Sequence, residues 1–266
     1  MIGELMVGAG TAAAAGFAYA RRRRAGLYRD LEGQVARIAA APAPDLGDLA
    51  QREPPRFADR FAVVPDMLPG RTFAALKAEA ERLVAPERSF VPAHKKGGTV
   101  AYETLIASAP AIVAFYQCAG FQDFISRLVG VRVQPTPIND QSSLSVLFYD
   151  KPGDHIGWHY DHNFYRGRHF TVLIMMTNAG HATDGLSHAE LKARIAEQEI
   201  AVRAPANTVV VFEGARVRHK VTPVVASEQR VVLSMTYCTD STSSWWQALS
   251  RRLKDTAYFG VRALWT

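Results

Sequence analysis

Apolar residues fall into three textures along the chain, and each predicts a different kind of structure. Residues 2 to 20 are almost wholly small and apolar, with an uncharged run from Leu5 to Ala20, and Arg21 to Arg24 follow at once. That run is short for a hydrocarbon core of about 30 Å, which needs about 20 residues. Its positive charges follow the apolar segment, unlike those of a secretory leader, and they would hold the rest of the chain on the cytoplasmic side. Residues 1–24 are therefore expected to form a hydrophobic helix that anchors the protein to a membrane through residues 2–20. A soluble, Ala-rich helix in the cytoplasm is the alternative, because alanine is only weakly apolar by insertion standards. From Leu27 to Ala40, Leu27, Leu31, Val35 and Ile38 recur at spacings of four and three, the period of an amphipathic helix. Ala41-Pro42-Ala43-Pro44 and Pro54-Pro55 then bracket a stiff segment. Residues 25–56 thus read as a helical stalk and Pro-rich linker, and residues 57–266 as one folded domain.

Within that domain the pattern changes from helical to extended. Phe61 to Val64 predicts a short strand, and Phe73, Leu76, Ala80 and Leu83 predict a helix after the Pro65 to Gly70 turn. Lys95-Lys96-Gly97-Gly98 reads as a mobile surface loop. Two further helices are expected, from Pro110 to Cys118 and from Phe121 to Leu128. Beyond them come seven short β-rich runs: Val131 to Val133, Leu144 to Tyr149, His169 to Met176, Glu199 to Arg203, Thr208 to Phe212, His219 to Val224 and Arg230 to Tyr237. Gly, Pro and Asn divide them, a spacing that points to a double-stranded β-helix, the jelly-roll form of sandwich. Ser187 to Gln198 reads as an inserted helix, capped by Ser187 with Glu190 three residues later. The expected class is mainly β with flanking helices, preceded by the N-terminal hydrophobic helix.

Charge changes this picture little. The formal net charge is +6, and half of it comes from residues 1–24, where four arginines outweigh one glutamate. The rest of the chain has no basic stripe, which argues against a nucleic-acid partner. Cys118 and Cys238 are the only cysteines. They stand far apart in apolar surroundings, so neither a disulfide framework nor a Cys-rich zinc site is indicated. Nothing in the pattern specifies an oligomeric state.

The candidate chemistry sits in Gly157-Trp158-His159-Tyr160-Asp161. On an extended strand, residues two apart point the same way, so His159 and Asp161 can present a ring nitrogen and a carboxylate oxygen to one point. His219 supplies a second imidazole. Two histidines and one carboxylate on one face of an ion leave the opposite positions open, which suits non-haem Fe(II) oxygen chemistry. Arg230 follows His219 by eleven positions and opens an apolar run, where its planar fork is placed to grip a carboxylate. With alternating strands, Tyr149 and Thr171 face inward beside it.

These residues resemble the Fe(II)/2-oxoglutarate-dependent dioxygenases, in particular the prolyl-4-hydroxylase-like branch. The shared pattern is His-x-Asp, a distal His, and an Arg or Lys about ten residues later; here it spans roughly Ala62 to Thr239 and includes the Tyr149 to Trp158 lead-in. The resemblance implies that His159, Asp161 and His219 bind Fe(II) as the catalytic centre and that Arg230 holds the distal carboxylate of 2-oxoglutarate, with O2 as the oxidant. Ile156 stands where the branch often has a cosubstrate-binding tyrosine, which leaves Tyr149 and Thr171 as the candidate further contacts. The implied activity is hydroxylation of an unactivated carbon in a small-molecule or peptide substrate. Halogenating relatives carry a small residue in place of the carboxylate, whereas this sequence keeps Asp161. A cupin-like isomerase or hydrolase with the same three ligands is the alternative reading, and it has no use for Arg230. A non-catalytic scaffold would have no use for the ligands either.

Overall fold

The computed structural model describes residues 2–83, 88–91 and 95–259. Helix α1 (Ile2–Ala39) runs without a break through the expected junction between anchor and stalk. Among the described residues, no helix is long and apolar enough to cross a membrane. The anchor expected over residues 2–20 is therefore not supported, in keeping with the weak hydrophobicity of alanine. The second half of α1 is not a free stalk: Leu31 is buried, and Val35 and Ile38 pack against the same core. The Pro-rich segment is docked as well. Leu49 is fully buried, and Arg127 donates to the carbonyls of Leu49 and Arg52 at 2.7 and 3.0 Å.

Helices α2 (Gly70–Arg82), α3 (Tyr102–Ser108), α4 (Pro110–Gln117) and α5 (Ala119–Val129) form a layer to which α1 adds its apolar stripe. Each carries apolar residues at helical spacing, such as Phe121, Phe124, Ile125 and Leu128 on α5, and these are buried together. Gly130 closes α5 in the left-handed conformation at φ 72°, which suits a glycine C-cap.

That layer backs a rolled antiparallel sheet of twelve strands. In chain order these are β1 (Phe61–Val64), β2 (Arg88–Val91), β3 (Lys95–Val100), β4 (Gln134–Pro135), β5 (Leu144–Tyr149), β6 (His155–His159), β7 (His169–Ala179), β8 (Leu191–Ile195), β9 (Gln198–Val202), β10 (Val209–Phe212), β11 (Arg218–Val221) and β12 (Gln229–Cys238). The spatial order is β1-β10-β7-β12-β5-β3-β6-β11-β8-β9, with β2 on β3 and β4 on β12. One run, β1 to β5, carries the large apolar core; the other, β6 to β9, carries the His ligands, and β3 pairs with β5 on one side and β6 on the other. The result is an antiparallel half-barrel with flanking helices, as expected for a jelly roll.

Two segments depart from expectation. Lys95 to Gly98 is a central strand rather than a loop, because its glycines make room for aromatic rings: a Cβ on Gly98 would fall 1.7 Å from the Phe148 ring. Ser187 to Gln198 is the hairpin arm β8 rather than a helix. Leu191 and Ala193 alternate inward, and Ala196 and Glu197 turn the chain into β9 with φ of 46° and 66°. The last helix, α6 (Trp245–Phe259), brings Lys254 and Tyr258 to the open end of the roll. Trp245 and Trp246 stack on each other at 3.8 Å and are both exposed, so they do not dock this helix against the barrel.

Candidate metal centre and its pocket

The pairing of β6 with β11 sets His159 directly opposite His219, with ring centroids 4.1 Å apart. Asp161 lies just past the end of β6, where its N–H donates to the Gly214 carbonyl at 3.0 Å. Its Oδ1 is 3.5 Å from His159 Nε2 and 3.6 Å from His219 Nε2, and one donor atom from each residue lies within 4.8 Å of the others. Nδ1 of His159 sits 2.8 Å from the Gly157 carbonyl and Nδ1 of His219 3.0 Å from the Val217 carbonyl. Those carbonyls accept the Nδ1 protons, which leaves each Nε2 with a lone pair aimed at the shared point. Two imidazoles that each present Nε2, with a carboxylate, are a donor set that fits Fe(II) and keeps one face open.

The carboxylate is itself held. Thr171 on β7 donates to Oδ2 at 2.5 Å, so Oδ1 alone faces the two rings. Burial by itself would raise the Asp161 pKa, but His219, His159 and the Thr171 hydroxyl outweigh it and hold the carboxyl well below the usual range. Burial lowers the pKa of His219, with His159 adding to the effect, so its ring stays neutral and able to ligate. Gly214 permits the packing: a Cβ there would lie 2.3 Å from Asp161 Oδ2 and 2.7 Å from Thr171 Oγ1. Phe212 supports His219 from the side, at 4.6 Å between centroids.

The three donors line a cavity of about 230 Å³, together with Tyr149, Thr171 and Lys95 among others. Leu173 and Leu191 line both this cavity and a small adjoining pocket that holds Arg230 and Thr208. Arg230 is 2% exposed and stands across from Tyr149 in the β12–β5 register, its guanidinium carbon 5.7 Å from the ring centroid. Burial pulls the guanidinium pKa down and pushes the Tyr149 phenol up to about 12. Thr208 Oγ1 is buried with no hydrogen-bond partner. Among the described residues, Arg230 has no carboxylate partner and the Thr208 hydroxyl no hydrogen-bond partner, so the small pocket holds two unused donors beside the cavity.

A family model described as Halogenase D matches residues 51–258. The chain belongs to the halogenase D family. No curated protein matches it. Three solved structures similar to this family member are distant in sequence and show the fold. One is the non-haem alpha-ketoglutarate-dependent epimerase SnoN from nogalamycin biosynthesis, at TM-score 0.57 and 16% identity over 73% of this chain and 80% of that one. Another is the Trichoplax adhaerens prolyl hydroxylase in complex with a hypoxia-inducible-factor peptide fragment, at 0.54 and 16% over 73% and 88%. A third is the prolyl-4-hydroxylase of Pseudomonas putida, at 0.51 and 18% over 72% and 98%.

In this halogenase D family member, the structure brings together His159, Asp161 and His219, with Tyr149 and Thr171 in the same cavity and Arg230 next door. Arg168, close to the His-x-Asp motif in sequence, does not line the cavity and pairs with Glu213 at 3.1 Å. Sequence reasoning missed Lys95, Thr208, Gly214 and His169. His169 lines the cavity, buried, with no hydrogen-bond partner for Nδ1. Only its place among four clustered histidines hinted at it, whereas the others lack a local signal.

Proposed function

We propose that the protein is an Fe(II)- and 2-oxoglutarate-dependent oxygenase that hydroxylates an unactivated carbon of a small-molecule or peptide substrate, with residues 57–266 as its catalytic domain. The observation that carries this reading is the adjacency of a His-Asp-His donor face to a second pocket holding a buried arginine that has no carboxylate partner among the described residues. His159, Asp161 and His219 would hold the metal. Arg230 would hold the far carboxylate of 2-oxoglutarate, with the Thr208 hydroxyl donating to it and Tyr149 packing beneath. Iron, when bound, supplies the reductive activation of O2. In the net reaction, one oxygen atom enters a C–H bond of the substrate, and the other enters succinate as 2-oxoglutarate loses CO2. The apolar walls Leu147, Ile156 and Val221 keep bulk water from the reacting face.

The family description names a halogenase, yet the residues favour hydroxylation. A halide needs the metal position that a carboxylate would otherwise take, and Asp161 is fixed there by Thr171 and by its backbone bond to Gly214. A cupin-like isomerase or hydrolase would leave Arg230 and Thr208 buried without a purpose, at a desolvation cost nothing repays. The test is purified protein with Fe(II), 2-oxoglutarate and labelled O2, screened against substrate pools. Substrate-dependent succinate and one labelled oxygen in the product support the reading; no succinate with any pool, in protein that binds the metal, refutes it.

A further inference from the structure

Lys95 sits inside the same cavity as the metal donors, on the strand shared by the two halves of the roll, and is 5% exposed. Its ammonium donates to the Thr99 hydroxyl and stands 5.8 Å from the ring centroid of Tyr258. Neither contact supplies negative charge, and among the described residues two of its three N–H donors meet no acceptor. Among the described residues, two carboxylates line the cavity, and both are engaged. Asp161 faces the imidazoles. Asp140 is held by Lys254 at 3.1 Å and by the Tyr165 hydroxyl at 2.8 Å. Burial lowers the Lys95 pKa to about 8, which still leaves it charged near neutrality. A charged amine buried without a counter-ion is costly, and such a cost persists where a ligand offsets it.

The cosubstrate does not account for it. In the proposed reading, on which this inference rests, 2-oxoglutarate spends its two carboxylates on the metal face and on Arg230. The uncommitted positive charge is therefore free for the substrate. We propose that Lys95 anchors a carboxylate of the substrate, and that the substrate is an amphiphilic monocarboxylic acid. A phosphate dianion calls for several free cations; among the described residues that line the cavity, Lys254 is already paired with Asp140 and Asp255, which leaves the Lys95 ammonium beside the aliphatic walls Leu147, Ile156 and Val221. Held at Lys95, the acid lays its carbon chain along those walls toward the open side of His159. Lys95 is then a specificity-determining residue, selecting acids over neutral analogues.

The experiment uses the full chain loaded with Zn(II), which cannot turn over, and saturated with 2-oxoglutarate. Hexanoate, 3-phenylpropanoate and N-acetylleucine are titrated by ligand-observed NMR, each beside its primary amide. The acids should bind roughly tenfold or more tightly than the amides, and Lys95→Met should erase that preference. The same variant should take up 2-oxoglutarate within about twofold of wild type, which shows that its pocket is intact. Equal binding of acids and amides, no binding of any acid, or an acid preference that survives in Lys95→Met overturns the proposal. So does a lost affinity for 2-oxoglutarate in Lys95→Met, which would make Lys95 a cosubstrate contact. Wild-type protein that binds Zn(II) but takes up no 2-oxoglutarate overturns the oxygenase reading first, and this proposal with it.

Discussion

Thr171 divides the labour of the Asp161 carboxylate: it occupies Oδ2 with a 2.5 Å hydrogen bond and leaves Oδ1 to face His159 and His219. The residue expected to touch the cosubstrate thus also holds the carboxylate proposed as a metal ligand, while lining the same cavity. Outer contacts of this kind alter metal affinity by about ten- to a hundredfold when removed. Thr171→Val should therefore weaken Fe(II) binding by at least about tenfold. At saturating metal it should leave the 2-oxoglutarate requirement unchanged. Metal titration followed by 2-oxoglutarate titration separates the two; a raised 2-oxoglutarate requirement with normal metal affinity would restore the cosubstrate role.

Arg230→Ala should do the opposite. Removing a charge-assisted partner from a buried carboxylate costs about 2 to 5 kcal/mol, or roughly thirtyfold and upward in affinity. Thr208→Val removes one hydrogen bond at about 0.5 to 1.5 kcal/mol, a several-fold effect in the same direction. Metal affinity should be unaffected in both. Unchanged 2-oxoglutarate dependence in Arg230→Ala would move the anchor to another residue.

Gly214→Ala tests the crowding around Asp161. Here the obstacle is contact rather than backbone strain, since the new methyl would meet the carboxylate and the Thr171 hydroxyl. Overpacking of this kind costs about 1 to 3 kcal/mol. Calorimetry should show a lower Tm, and the variant should bind metal more weakly than wild type. A fully stable variant with normal metal affinity would mean that the carboxylate has room to move.

Lys95 gives a signature in the pH dependence of stability. Its folded pKa of about 8 lies below the ordinary lysine value of 10.5, so between those pH values the unfolded chain holds a proton that the folded one has released. Stability then rises with pH across that window, by about 3 kcal/mol for this group alone. Below pH 8 the full cost of the buried charge is present. Denaturant unfolding of wild type and Lys95→Met from pH 7 to 10.5 should show the gap between them closing as pH rises, with His159, Tyr149 and Tyr258 common to both. A constant gap would place the ammonium in contact with solvent.

The product under labelled O2 with chloride present decides between oxygen and halogen. Wild type should yield a product with one labelled oxygen and no chlorine. A chlorinated product would mean that Asp161 is not a ligand in the working enzyme.

The closeness of His159 and Asp161 is legible in the sequence because His-x-Asp on an extended segment is a short-range pattern, and the strand period alone brings its members together. His219 and Arg230 were readable through their fixed spacing in the apolar runs. Lys95 was hidden by its neighbours. Two lysines before two glycines have the composition of a loop, and only the rings of Phe148 and Tyr149, some fifty residues away, explain why glycine belongs in a central strand. The segment from Ser187 misled in the opposite way: a capping pattern marks a helix start only if a helix follows, and the alternation of Leu191 and Ala193 wins once β11 offers a partner. Thr208 and Gly214 matter through distant neighbours alone. The N-terminal apolar run reads as a membrane signal on length and flanking charge, and its alanine content accounts for why no described helix is apolar enough to cross a membrane.

Helix α6 is the last element of the described chain, and it supplies Lys254, which pairs with Asp140, and Tyr258, which stands beside Lys95. As the polypeptide leaves the ribosome, His159, Asp161 and His219 are all made before this wall exists. A newly made chain can therefore gather its three metal donors while the cavity still lies open and Asp140 still lacks its lysine. The order of synthesis thus completes this wall of the cavity only after all three donors have been made.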